Sequence, residues 1–381
     1  MHVDELIDRA HERTGLDDFG DGAMWEGLDV LIASLNGEAE LNDVGRQAFT
    51  DSIVDNLANR LRVTDWIARH PRLLQSPVER PVIIIGPMRT GTTLLSRLLH
   101  QDPGFRSLMK WEALDSVPPP KTATFLSDPR IARAERGQRI LRALNPEIYA
   151  AHESRSDAPT ECIEILTQDY KSFLWESARI PTYAAWLRDC DYTSAYVYHR
   201  RVLQLLQSHA PGRWSLKSPA HRLAIDVVAD TYPDAIFIET HRDPVTVAAS
   251  TCSLVWLTSR ILTDADHRRY IAEHWIDVIE QMSERVNAFR DRHGDERFLD
   301  LHYAELLVDP IAAVRRVYDF IGRELTGDVE AAMRAYLAAN PQGKHGKHVY
   351  VLEDLYLDRD ELESRFAAHA ARYNIPRETV A

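Results

Sequence analysis

Val82-Ile-Ile-Ile-Gly-Pro-Met-Arg-Thr-Gly-Thr-Thr-Leu-Leu95 decides the fold of this chain. Val82–Ile85 is short, wholly apolar and β-branched, as expected of a central parallel strand buried on both faces. A Gly-bearing turn follows, and then a helical pattern with Leu94, Leu95, Leu98 and Leu99. Strand, G-x-x-x-x-G turn and helix in that order form a phosphate loop: glycines let backbone N–H groups approach an anion, and the helix N-terminus adds partial positive charge. The loop comprises Gly86, Pro87, Met88, Arg89, Thr90, Gly91, Thr92 and Thr93, all expected to cradle a phosphate or sulfate group. A bare G-x-x-x-x-G also occurs at ordinary strand–turn–helix junctions, so the cation matters. An ATPase loop carries Lys before its final Thr; here that position is Thr92, and the positive charge is Arg89, suited to bidentate contact with phosphate or sulfate.

Outward from the loop, two more runs read as buried strands, Trp214–Leu216 and Ala235–Ile238, with Phe298–Leu301 as a third candidate. Helical spacing is expected over 160–176, 196–209 and 220–231. Alternation of strand and helix predicts an α/β fold with a P-loop-type parallel β-sheet flanked by helices. Before the loop, Leu28, Leu31, Ile32 and Leu35, then Ile53, Leu57 and Leu61, mark amphipathic helices. The predicted organisation is an N-terminal helical extension over 1–78 and an α/β domain over 79–381.

Composition narrows the function. A formal net charge of −13 argues against a general nucleic-acid binder while permitting a local basic pocket. Three scattered cysteines, Cys162, Cys190 and Cys252, show no zinc or disulfide spacing, which favours a reducing compartment and a cytoplasmic location. The N-terminus carries acidic charge where a signal peptide is basic and then apolar. No run of about 18 apolar residues predicts a transmembrane helix.

A second motif, His241-Arg-Asp-Pro244, closes the strand at 235–239, and Ser250 lies in the helix after it. Here the chain resembles the sulfotransferases that use 3′-phosphoadenosine 5′-phosphosulfate (PAPS). The resemblance implies that the first loop holds the 5′-phosphosulfate, and that Arg242 and Ser250 hold the 3′-phosphate. Asp243 is read as an orienting or capping residue and Pro244 as a first-turn residue. Leu216-Lys-Ser-Pro219 resembles the Lys-x-Pro of tyrosylprotein sulfotransferases, and Asp300–Glu305 with Asp309-Pro310 resembles the family's closing strand and helix. Arg89 in place of the cytosolic branch's Lys is similar to the tyrosylprotein and several bacterial branches. The likeness covers roughly 81–350 and implies Lys344, Lys347 and His348, in Gln342-Gly-Lys-His-Gly-Lys-His348, as residues of a basic loop near the 3′-phosphate or adenosine.

Sulfuryl transfer develops negative charge on the bridging oxygen, and Arg89 and Lys217 are the cations expected to meet it. The acceptor hydroxyl needs a base. Two glutamates compete: Glu112, placed after the loop as in tyrosylprotein sulfotransferases, and Glu161, similar to an acidic segment of bacterial relatives. His221 is a further, weaker candidate. The co-substrate reading calls for no metal. The acceptor stays open between lipid, glycolipid, carbohydrate and small alcohol, with Trp111, Tyr149 and Trp256 as possible lining residues. A P-loop kinase using ATP and Mg²⁺, and a nucleotide-binding protein without transferase activity, are the competing functions. Oligomeric state has no signature in the sequence.

Overall fold

The computed structural model describes residues 1–151, 155–341 and 351–378. Five strands form one sheet: β1 (Val82–Ile85), β2 (Phe105–Ser107), β3 (Arg213–Lys217), β4 (Ile236–His241) and β5 (Phe298–His302), in the order β2-β3-β1-β4-β5. Every pairing is parallel. All four residues of β1 are buried, as expected of a strand covered by helices on both faces.

One apolar core joins the helices before β1 to the sheet: Leu28, Leu31, Ile53 and Leu57 belong with Ile83, Ile85 and Phe237. The stretch 1–78, expected as an extension, therefore shares its core with the α/β part. Polar groups reinforce the join. Arg60, 2% exposed, pairs with Asp169 at 2.8 Å and donates to the Gln168 carbonyl at 3.1 Å. Asn42 caps the helix Asp43–Arg69 by accepting from Gly45 N–H at 2.8 Å, and its amide donates to the Ile261 carbonyl at 3.1 Å.

The Ile261 contact ties that helix to Pro244–Leu262, the 19-residue helix after β4. Pro244–Leu262 is long and apolar enough to cross a membrane by length and composition alone, but 67% of its most apolar 18-residue window is buried within the protein, as in a core helix. Its apolar side chains Val245, Val247, Ala248 and Ala249 belong to the core.

The strand assignments at 214–216, 235–238 and 298–301 hold, with β4 running on to His241. The helix expected over 160–176 is instead a single turn, Ile163–Leu166, followed by 3₁₀ turns. Tyr170 interrupts it at φ 55°. Its carbonyl and that of Ser172 accept from the buried Tyr183 hydroxyl at 2.8 and 3.1 Å, holding the chain out of helical geometry. The stretch expected as a helix at 220–231 splits into a 3₁₀ turn, Pro219–Arg222, and the helix Ile225–Thr231.

Candidate active site

Ligands of open parallel sheets bind outside the carboxyl ends of the strands. A cavity of about 710 Å³ lies there, within the roughly 300–1,000 Å³ usual for ligand pockets. The chain leaving each strand supplies part of it: Met88–Thr93 after β1, Lys110 after β2, Pro219 after β3, Arg242 after β4 and Tyr303 after β5.

The loop after β1 is tightly determined. Arg89 has φ 71° and Gly91 φ 89°, the latter opening the helix Thr92–Leu99. A Cβ at Gly91 would also meet Tyr303 and Leu306 at about 3 Å, and one at Gly86 would collide with the Thr240 and Thr90 hydroxyls. Glycine is therefore required at Gly86 by space and favoured at Gly91 by its left-handed conformation. Thr90, fully buried, donates to the Pro87 carbonyl at 2.7 Å and shares a 2.6 Å hydrogen bond with Thr240. Its side chain braces the loop against β4. Met88, Arg89, Gly91, Thr92 and Thr93 line the cavity.

Two further groups are bound to this loop. Arg89 Nε donates to Ser250 Oγ at 3.0 Å, and Arg242 Nη1 donates to the Arg89 carbonyl at 2.9 Å. The Arg242 guanidinium lies 4.1 Å from the Tyr303 ring centroid. Asp243 accepts from Val245 N–H at 3.1 Å, capping the next helix with Pro244 in its first turn.

Beside the loop, Lys217 Nζ stands 2.7 Å from Glu161 Oε1 and 3.2 Å from Thr93 Oγ1. Backbone pairing explains the meeting: Cys162 N–H donates to the Lys217 carbonyl at 2.9 Å, and Thr160 N–H to that of Leu108 at 2.8 Å. The Lys217 side chain is 4% exposed and that of Glu161 22%, on the cavity wall.

A model of the sulfotransferase family matches residues 81–327. The chain belongs to that family. This sulfotransferase is 36% identical to sulfotransferase STF9 from Mycobacterium avium, with 99% of this chain and 97% of that one covered and a TM-score of 0.92. It is 32% identical to sulfotransferase STF1 from Mycobacterium tuberculosis H37Rv, covering 97% and 99%, with a TM-score of 0.86. A curated relative from Mycobacterium bovis, omega-hydroxy-beta-dihydromenaquinone-9 sulfotransferase, is 26% identical over 289 residues, 72% of this chain and 70% of that protein. Kinase activity and nucleotide binding without transfer, the two competing readings, give way to an enzyme of this family.

Not every expected site residue of the sulfotransferase reaches the cavity. Glu112 is fully buried. Its carboxylate accepts from Arg106 Nη1 at 2.7 Å and from Met109 N–H at 2.9 Å. Arg106 in turn lies between the Phe125 and Trp214 rings at 4.6 Å. A carboxylate closed in this way holds the chain after β2, and Glu112 does not line the cavity. His221 is also sealed: burial pushes its pKa down to about 3, and its Nδ1 pairs with the Tyr196 hydroxyl at 2.9 Å. Trp111 is buried against Phe125 and beneath Arg130. Trp256 faces Arg268 at 5.5 Å. Lys344, Lys347, His348 and the Tyr149 side chain lie outside the described residues.

Several lining residues carried no recognisable motif. Lys110 and Glu164 form an ion pair on the wall, each side chain about 15% exposed. Gln138 and Arg142 come from the helix Pro129–Leu144, Ile148 from the helix Pro146–Ala151, and Asn145 from the junction between them. Asn145 Nδ2 donates to the Leu257 carbonyl at 2.9 Å, fixing this flank to the core helix. The only available signal was the spacing of Glu161 and Glu164 one turn apart.

Glu239, in β4, has a structural task. It joins His241 and Asp300 in a cluster of possible metal ligands. Arg222 and Arg290 reach Glu239 at 2.5 and 2.8 Å, and Arg290 reaches Asp300 at 2.8 Å. Burial works to raise the pKa of Glu239, but Arg222, His241 and Arg290 outweigh it and hold the carboxyl below its usual range. The cluster's charges are thus met by guanidinium groups.

Proposed function

We propose that this sulfotransferase moves a sulfuryl group from PAPS to the hydroxyl of an apolar or amphipathic acceptor, with Glu161 as general base. The observation that carries the donor assignment is the coupling of two cationic positions: Arg89 in the loop after β1 contacts Ser250, and Arg242 after β4 contacts the Arg89 carbonyl. A nucleotide phosphorylated at both 5′ and 3′ positions would meet both. The glycine-bounded loop suits its 5′-phosphosulfate, and Arg242 with Ser250 suits its 3′-phosphate.

The donor supplies the sulfuryl group and a phosphate leaving group. Glu161 takes the acceptor's proton as the acceptor oxygen forms its bond to sulfur. The bond from sulfur to the bridging phosphate oxygen breaks, and its electron pair stays on that oxygen. Lys217 and Arg89 meet the developing charge. Lys217 starts between Glu161 and Thr93, so a small turn of its Nζ from carboxylate to loop serves both partners. This chemistry needs no metal.

The acceptor assignment rests on the cavity lining that lies away from the loop residues in sequence. Ile148, Ile163, Phe173, Leu174 and Leu254 make it largely apolar, with Gln138 and Asn145 among them. Such a wall favours an apolar body bearing one hydroxyl, and the curated relative's name gives it an omega-hydroxylated dihydromenaquinone. Free thiols at Cys162 and Cys252, both buried, fit a reducing compartment such as the cytoplasm.

Calorimetric titration with adenosine 3′,5′-bisphosphate and with AMP, each with and without Mg²⁺, tests the donor assignment. The bisphosphate should bind much more tightly, independently of metal. Equal affinity for the two nucleotides would remove the role given to Arg242 and Ser250.

A further inference from the structure

The Arg242 guanidinium already holds an anion from its own chain. Its Nε and Nη2 donate to the two carboxylate oxygens of Glu378 at 2.8 and 2.7 Å. This fork is the edge that binds carboxylate or phosphate in a bidentate manner. Nη1 is given to the Arg89 carbonyl, and one face of the group is covered by Tyr303. Glu378 is itself aimed at this position: its amide donates to Asp243 Oδ2 at 2.8 Å.

The segment leading to Glu378 is anchored just upstream. The Tyr373 ring stacks on His241 at 4.1 Å, and its hydroxyl donates to Asn287 Oδ1 at 2.6 Å. Asn374, at φ 51°, turns the chain, and Ile375 N–H returns to the Ala370 carbonyl at 2.9 Å. Residues 376–378 then run onto the end of β4. The Arg242 side chain is 16% exposed and that of Glu378 33%, so the pair is shielded enough to persist and open enough to be exchanged.

We propose that Glu378 is an internal surrogate for the nucleotide's 3′-phosphate, which must be displaced before that phosphate can bind. The inference rests on the assignment of Arg242 to the 3′-phosphate subsite. A carboxylate and a phosphate cannot share one guanidinium fork, and their like charges repel at that distance. The tail therefore favours ligands that bring their own 3′ charge. A nucleotide lacking it leaves Glu378 in place and gains nothing from Arg242. A nucleotide bearing it pays for opening the segment, so its apparent affinity is reduced by the fraction of molecules already open.

Titration of the full chain and of Glu378→Gln and Arg242→Ala with adenosine 3′,5′-bisphosphate and AMP tests this. Glu378→Gln should tighten the bisphosphate about two- to tenfold, the range set by a partly exposed ion pair, and leave AMP unchanged. Arg242→Ala should weaken the bisphosphate and largely spare AMP. If Arg242→Ala binds the bisphosphate as the parent does, the subsite assignment itself fails. If Arg242→Ala weakens it but Glu378→Gln leaves it unchanged, weakens it, or tightens both nucleotides equally, the subsite stands and the surrogate is overturned. Hydrogen exchange gives a second reading in the unmutated protein. Saturating bisphosphate, but not AMP, should speed exchange of the Glu378 amide, and undiminished protection would equally overturn the proposal.

Discussion

Lys217 bridges two elements of the candidate site, with its Nζ 2.7 Å from Glu161 and 3.2 Å from Thr93. A single ammonium thus spans the proposed base and the first turn of the phosphate-loop helix. Glu161→Gln should lower kcat by about 10²–10⁴-fold, the scale of a lost general base. Its KM for donor should change little. Single-turnover rates across pH supply the check: the parent's acidic limb should vanish in the variant, and an unchanged profile would exclude Glu161.

The roles proposed for Arg89 and Glu161 differ, and the kinetics should separate them. Arg89→Ala removes the charge proposed to meet the leaving group and the contact to Ser250. It should cost about 10²–10³-fold in kcat, the scale of one lost oxyanion contact, and should weaken donor binding too. Near-normal turnover by Arg89→Ala in steady-state assays would contradict the mechanism.

Glu112 should respond as a structural residue. Glu112→Gln leaves the Arg106 guanidinium buried without its carboxylate, a loss of about 3–5 kcal/mol for broken buried pairs. The melting temperature should fall clearly, while kcat per folded molecule stays near the parent value. A stable variant with abolished turnover would restore Glu112 as a catalytic candidate.

Stability should depend on pH through two buried imidazoles. Burial lowers the pKa of His199 well below its ordinary value and that of His221 to about 3. Both are neutral when folded, yet in the unfolded chain they titrate near 6.5. Below that value the unfolded chain binds more protons, so stability is lost as pH falls from about 6.5 toward 3. Each imidazole contributes up to about 1.4 kcal/mol per pH unit. Melting temperatures at pH 7.5 and 5.5 should show the drop, and His221→Asn should flatten it. Equal slopes in parent and variant would rule out the His221 contribution.

What sequence could reveal depended on whether a signal was local. The phosphate loop was legible because a β-branched run, two glycines and a helix lie within fourteen consecutive residues, 82–95. β2 was not: Phe105-Arg-Ser107 is three residues long, and its central side chain is a buried Arg made tolerable by Glu112, the Ala210 carbonyl and two aromatic rings. The same pairing explains why Glu112 and Glu161 could not be separated beforehand. Spacing suggested Glu112 and likeness to bacterial relatives suggested Glu161, whereas in the fold Arg106 turns one inward and Lys217 holds the other at the cavity. Glu378 lay furthest from view, 136 positions beyond Arg242, with no motif to connect them.

In the order β2-β3-β1-β4-β5, the proposed donor contacts and the proposed acceptor wall come from different stretches of the chain. The proposed donor contacts come from the ends of β1 and β4 and the helix carrying Ser250, whereas most of the acceptor wall comes from the long excursion between β2 and β3. That excursion can lengthen, shorten or change its side chains while β1 and β4 keep their register. New acceptors are therefore accessible to relatives of this enzyme by remodelling one connection, and an exchange of that connection between homologues should carry substrate preference with it.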